Sequence, residues 1–429
     1  MATRSQRVHT SISVCLLLLV WVLCFGESQR LAAQSLPACQ EPIKLSLSLM
    51  PLVKSKAKAG DKSAACLLGI AYHHGFGVDK SDLESAKWLL KAAEAGIALA
   101  QNQLGYLYEH GSGVPQSYSD AAKWYRAGAS QGLAVAENNL GYMYFTGRGV
   151  EAQSFQEAAN WFRKAAEQGL PTAEVNIGNL YQTGRGVSRE YAQAVQWYQK
   201  AADQGDPTAA TKLGLMYLRG EGVGRDYTRA VNFFQSGASR GDLSAETCLG
   251  YMYSRGYGVR RDYASAYKWT RAAAEKGVPA AEQNLAYLYD EGLGIKRDLG
   301  EAFKWYYAAA LQGVAESQNT IGYYLATGLT GSPDYWQAAT WYRLAAEQGH
   351  PAAQANLGAL YASGRGVRLD YIQAYVWFRL STESGSHEAA KALKELSSIM
   401  TPDQLRDARI YSALQPVGIP TFLATTPHR

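Results

Sequence analysis

The chain has 429 residues, 47% of them apolar and only 18% charged, a balance that excludes a disordered polypeptide. Its formal charge is +5, and Arg4, Arg7 and Arg30 against Glu27 put two units of that into the first 33 residues. The remainder is too weak a field to argue for a nucleic-acid partner.

The N-terminus reads as an export signal over residues 1–33. Arg4 and Arg7 supply the positive end, and Val14 to Phe25 is an unbroken apolar run of 12. That run suits a signal-peptide core and falls short of the roughly 18–20 residues that span a bilayer. Leu31-Ala32-Ala33 is an imperfect cleavage flank, so removal of the segment and its retention as an anchor both stay open. No later segment is long or apolar enough to cross a membrane. None of the ten asparagines sits in an Asn-x-Ser/Thr sequon, which favours a bacterial exported protein in the periplasm or secreted. Past the signal stand Cys39, Cys66 and Cys248. The last two lie five repeat units apart, beyond the ~7 Å between Cα atoms that a disulfide tolerates, so no bridge is expected.

Residues 34–63 are expected to form a half-repeat that caps the N-terminal end, with Leu52 in the column that holds Trp elsewhere. Residues 64–385 then repeat one unit nine times. A Leu-Gly pair marks the register, with its second residue at Gly69, Gly105, Gly141, Gly178, Gly214, Gly250, Ala286, Gly322 and Gly358. The step is 36 residues except for one of 37. Ala or Ser precedes this Gly column by five residues, and Tyr follows it by three except at Leu325. Ala, Leu and Tyr at i, i+4 and i+8 make one stripe of a short helix. The Gly lets a neighbouring helix approach closely. Gly-x-Gly-Val then ends the first helix. A second helix opens on an N-cap such as Ser81, Ser117 or Asp226 and carries Ala and Trp as its buried stripe. A closing Gly follows, and in four units Pro171, Pro207, Pro279 and Pro351 mark the next helix start. One such pair cannot bury its own aromatic side chains, whereas stacked pairs can.

After the ninth unit, residues 386–414 read as C-terminal capping helices, the last opened by the capping box Thr401-Pro402-Asp403-Gln404. Residues 415–429, with three prolines, read as a flexible tail.

The columns Ala-x-x-x-Leu-Gly-x-x-Tyr, Gly-x-Gly-Val and Ala-x-x-Trp-Tyr-x-x-Ala-Ala-x-x-Gly resemble the Sel-1-like repeat, a relative of the tetratricopeptide repeat. The resemblance covers about three quarters of the chain. It departs at Ala286, at Phe233 in the Trp column, at Leu325, and at Gly328-Leu329-Thr330 in the eighth unit. It implies an all-α fold, a right-handed α-α superhelix (solenoid) of nine helix-turn-helix units with terminal caps, whose first helices line the inside. It also implies a non-enzymatic scaffold that binds a protein or peptide, in envelope signalling, assembly or host contact.

On that inner side, the position after the Gly column and the one a turn earlier share a face. They pair Asn102 with Tyr106, Asn138 with Tyr142, Gln283 with Tyr287 and Asn319 with Tyr323, and Tyr251 stands in the same column. Amides pair with a peptide backbone or a sugar hydroxyl, and Tyr offers a flat apolar surface with a polar tip. These residues are the candidate binding face for a peptide, with peptidoglycan or another polysaccharide as the alternative ligand. A purely structural role, tyrosines wedged between units, fits the same pattern. Arg219, Arg225, Arg255, Arg260, Arg261, Lys296 and Arg297 form a basic rim in the turns of units five to seven, diluted by Glu221, Asp226 and Asp262.

Reactive constellations are sparse. Ser55-x-x-Lys58 and Ser265-x-x-Lys268 match the first element of a β-lactamase-like site, without Ser-Asp-Asn or Lys-Thr-Gly to complete it. His73, His74, Glu109 and His110 recur in adjacent units, but spacing alone does not deliver three or four metal ligands. No cofactor, metal or catalytic residue is therefore expected.

Overall fold

The structure is a computed structural model that describes Cys39 and residues 49–414. The expected signal at 1–33 and the tail at 415–429 lie outside the described residues, as does most of 34–48. Among the described residues there are helices and no strands, and they divide into two compact units at Arg225 and Asp226.

The first unit holds α1 (Met50–Lys58), α2 (Lys62–His74), α3 (Asp82–Glu94), α4 (Ala98–His110), α5 (Tyr118–Ala129), α6 (Ala134–Thr146), α7 (Phe155–Glu167), α8 (Pro171–Thr183), α9 (Tyr191–Asp203) and α10 (Pro207–Arg219). The second holds α11 (Tyr227–Ser239), α12 (Leu243–Arg255), α13 (Tyr263–Ala274), α14 (Pro279–Glu291), α15 (Leu299–Leu311), α16 (Ala315–Thr327), α17 (Tyr335–Glu347), α18 (Pro351–Ser363), α19 (Tyr371–Glu383), α20 (His387–Ile399) and α21 (Pro402–Leu414). Helices α2 to α19 are the nine repeats, even numbers first in each pair. Within each unit every helix packs on the next, except that the last, α21, packs on α19. Some successive first helices also touch, as α2 does α4, α4 does α6 and α12 does α14, so the first helices form the tighter side there.

Local signals set the helix ends. The N-cap side chains Ser81, Ser117, Ser154, Asp226, Asp262, Asp298, Asp334 and Asp370 all accept backbone N–H bonds at the start of the second helices. Glu190, whose side chain is too long for that geometry, makes no such bond. Each first helix of the nine repeats stops at a left-handed Gly whose N–H returns to the carbonyl four residues back, as Gly147 does to Met143. Thr401 and Gln404 close a reciprocal capping box at α21.

The Ala and Leu columns of the first helices are buried as expected. The second-helix stripe is displaced by one residue from expectation. Ala121, Ala158 and Ala194 are buried, but the large core residue is the one after the Trp column: Leu89, Tyr125, Phe162, Tyr198, Phe234, Tyr306, Tyr342 and Phe378. Burying a ring such as that of Phe162 contributes roughly 2–3 kcal/mol. The Gly column makes room for this residue. A Cβ on Gly141 would lie 2.8 Å from the Phe162 ring, and one on Gly178 would lie 2.6 Å from Tyr198. The Trp side chains are half-buried instead, several under a lysine, with Lys91 4.5 Å from Trp88 and Lys200 3.8 Å from Trp197. Trp377 alone among them is fully enclosed. In the half-repeat the same shift buries Val53 beside Leu52.

A disulfide corrects the cysteine expectation. Cys39 is bonded to Cys66, with 6.2 Å between their Cα atoms. Sequence arithmetic considered only the pair that the repeats hold apart; the segment before α1 returns to α2. Cys248 is half-buried and outside this bond.

Candidate binding face

The predicted face falls into parts that behave differently. Asn102 is buried, and its Oδ1 accepts from Asn139 Nδ2 at 2.9 Å. Asn138 accepts from Asn176 at 2.9 Å, and Asn319 from Asn356 at 3.1 Å. Each bond joins one repeat to the next, so these asparagines form a ladder between first helices. Tyr106 and Tyr142 are half-buried, and Tyr106 stacks on His110 with ring centroids 4.1 Å apart.

The second unit differs. Tyr251, Tyr287 and Tyr323 stand on successive first helices α12, α14 and α16 and are 39%, 45% and 50% exposed. Arg255 lies 5.7 Å over the Tyr251 ring. Beside Tyr287, the amides of Gln283 and Asn284 make no hydrogen bond among the described residues. The ladder between repeats is therefore interrupted at Tyr287 and present again at Asn319, beneath Tyr323.

A buried polar column went unread in the sequence. One residue after the Ala column stand Gln101, Glu137, Glu174, Glu246, Glu282, Gln318 and Gln354, all buried. Most bond to a residue about 30 positions on, at the end of the second helix of the same repeat: Gln131 donates to Gln101 at 2.7 Å, Gln168 to Glu137 at 2.8 Å, Gln204 to Glu174 at 2.9 Å and Gln312 to Glu282 at 2.7 Å. Burial holds the carboxyls of Glu137, Glu174 and Glu282 above the usual range. The signal for this column was the Gln or Lys that precedes the closing Gly. The Tyr column, three past the Gly, is bracketed by arginines of the preceding repeat: Arg126 donates to Tyr144 at 3.2 Å and Arg343 to Tyr361 at 2.8 Å.

Most of the reactive candidates have partners of their own. Ser265 donates its Oγ to the N-cap Asp262 at 2.6 Å, and Ser55 lies exposed on α1. His73 pairs with Asp82 at 2.7 Å, His110 with the Tyr106 carbonyl at 2.9 Å, and Glu109 accepts from Tyr125 at 2.7 Å. His74 is pushed down to about 4, first by burial and then by His73 and Lys80. These groups point to separate partners, and among the described residues no three His, Cys, Asp or Glu side chains gather as metal ligands. In the basic rim, Arg297 donates to the Asp290 carbonyl at 2.6 Å and Arg261 covers Tyr263 at 5.5 Å. No helix among the described residues is long and apolar enough to cross a membrane.

The Sel1 repeat family model matches nine consecutive segments, 62–97, 98–133, 134–170, 171–206, 207–242, 244–278, 279–314, 315–350 and 351–386. Among solved structures, a protective antigen present in uropathogenic Escherichia coli strains, displaying an SLR fold, is 32% identical over 86% of both chains, with a TM-score of 0.54. A Sel1 repeat protein from Oxalobacter formigenes is 35% identical, covering 57% of this chain and 96% of its own, with a TM-score of 0.53. No curated protein matches.

Proposed function

The chain belongs to the Sel1 repeat family, whose solenoids typically mediate contacts between proteins and are generally non-catalytic, and from that premise we propose that it is an exported scaffold that captures an extended peptide on the inner side of its second unit. The observation that carries this reading is the run of open tyrosines Tyr251, Tyr287 and Tyr323 on successive repeats. Tyr immobilises little entropy on binding and combines an apolar face with a hydroxyl. Of the other predicted residues, Asn102, Tyr106, Asn138 and Tyr142 join or pack repeats of the first unit, and Asn319 joins two repeats of the second. Export is supported by the charged and apolar N-terminus and by the Cys39–Cys66 bond, since structural disulfides persist in oxidising compartments.

Capture from a bacterial envelope extract tests the reading. Replacing Tyr251, Tyr287 and Tyr323 together with Ala is expected to abolish capture while circular dichroism stays helical. Trp336→Ala, at the most exposed tryptophan among the described residues, is expected to leave capture unchanged. Capture that survives the triple replacement sinks the proposal. Binding of the protein to purified sacculi in place of a polypeptide would transfer the site to a glycan.

A further inference from the structure

We propose that the edge formed by the turns of the eighth and ninth repeats is an interfacial membrane site. It dips apolar side chains into an anionic lipid bilayer and holds the headgroups with two arginines, independently of peptide capture on the inner side. The turn between α16 and α17 carries Leu329 and Pro333, and α17 opens with Tyr335 and Trp336. The turn between α18 and α19 carries Arg365, Arg368 and Leu369. The two turns meet directly. Arg365 lies 5.4 Å over the Tyr335 ring, and a Cβ on Gly366 would overlap the Tyr335 carbonyl. At this edge Trp336 is 70% exposed, Leu369 52% and Leu329 43%.

The repeat does not require these side chains. In repeats four to seven the position of Leu369 holds Arg189, Arg225, Arg261 and Arg297, and that of Trp336 holds Ala192, Thr228, Ala264 and Gly300. Leu329 stands where the third, fourth and ninth repeats have Arg148, Arg185 and Arg365. Charge at the edge is one-sided. Arg365 and Arg368 are exposed, and neither makes an ion pair or hydrogen bond among the described residues. The carboxylates of these turns, Asp334 and Asp370, are half-buried N-caps that accept from the backbone of Gln337 and Gln373. Toward the seventh repeat Lys296 and Arg297 stand beside Glu291 and Asp298, and toward the C-terminal cap Asp403 and Asp407 both pair with Arg406.

This combination selects a lipid surface. Trp favours the boundary between headgroups and acyl chains, leucines enter the apolar layer, and open guanidinium groups hold phosphates. A bilayer takes protruding side chains without matching their shape. A stable protein partner covers ~800 Å² on each side, far more than one indole, two leucines and a proline present.

The test is fluorescence of the full chain labelled with nitrobenzoxadiazole at Thr330→Cys, with Cys15, Cys24 and Cys248 replaced by Ser. Thr330 is exposed in the turn of Leu329. The probe reads the edge itself, so attachment through the apolar run at Val14 to Phe25 does not imitate insertion. On vesicles of phosphatidylethanolamine and phosphatidylglycerol we expect its emission to move to shorter wavelength and to be quenched by spin-labelled acyl chains. On phosphatidylcholine alone we expect neither. Arg365→Gln with Arg368→Gln is expected to weaken insertion by ~30-fold, and Trp336→Ala with Leu369→Ala by ~10-fold or more. All four side chains are exposed, so folding is spared, which an unchanged melting curve verifies. Emission that stays at its value in water, whether or not the chain sediments with the vesicles, overturns the proposal. An equal shift on phosphatidylcholine, or a shift indifferent to either pair of replacements, does the same. Shielding of the probe by an acidic polypeptide, without quenching by lipid, would make this edge a protein surface and overturns the proposal too.

Discussion

Glu282 carries a buried carboxylate in a position where other repeats use an amide. Its Oε2 accepts from Gln312, and its carboxyl is held above the usual range by burial. In repeats two and eight, Gln101 and Gln318 keep the bond from the second helix and also donate their own Nε2 to a carbonyl eight residues back, Ala93 and Ala310. A Gln at 282 would find the Ala274 carbonyl in the same way. Because the folded state holds this proton more tightly than the unfolded chain, the group favours folding most below its unfolded value. That advantage is lost as pH rises through the raised folded value. Glu282→Gln is therefore expected to raise the urea midpoint at pH 7, by on the order of 0.5–1 kcal/mol of stability, and to give no gain near pH 4. A gain of equal size at both pH values would show that the carboxylate's charge is not the cause. This column was hidden in the sequence because its members alternate between Glu, Gln and Ala, the composition of a solvated face. Only its partner 30 residues away reveals that it is closed.

At the scale of the helix and its turn, the repeating glycines divide by what surrounds them. Gly169 closes the third repeat with φ +81° and has nothing within 4 Å of where a Cβ would be. Gly149, in the Gly-x-Gly turn of the same repeat, has φ +68°, and a Cβ there would overlap the Tyr118 carbonyl at the start of α5. The second turn glycine is thus a point where backbone meets backbone between neighbouring repeats, besides the capping role legible in sequence. Gly169→Ala is expected to cost about 1 kcal/mol, the price of a left-handed conformation. Gly149→Ala adds overpacking and is expected to cost about 3 kcal/mol or more. Equal melting temperatures for the two variants would refute the distinction. The eighth repeat departs where the sequence said it would: with Thr330 in that place, Gly328 still caps α16, and the chain turns through a Gly331 N–H bond to the Gly328 carbonyl. Helix lengths, caps and the stripe of the first helices were readable because each depends on local chemistry. The displacement of the second-helix core from Trp to its neighbour was not, since two adjacent aromatics differ by about 100° around a helix and the sequence does not say which of them faces the Gly.

Over the described residues, periodicity made the architecture plain, while the Cys39–Cys66 link escaped because Cys39 lies outside the repeats. That link joins residues 27 positions apart across α1 and the start of α2. Closing a loop of that size in the unfolded chain removes entropy worth about 3.5 kcal/mol. In a stacked array, stability is close to a sum of repeat terms and neighbour terms, so the benefit is local to the end that carries the link. Cys39→Ser with Cys66→Ser is expected to speed amide hydrogen exchange most in α2 and α3, progressively less through α4 to α6, and not measurably in α13. The wild-type chain treated with a dithiol reductant should show the same gradient, because either route leaves the same open loop. Core contacts of Val53, Ala57 and Leu68 remain in both cases, so the end loosens without the repeats losing their helices. Exchange rates in α2 that match the oxidised wild type after both treatments would mean that packing of α1 alone secures this end, and the disulfide adds nothing to it.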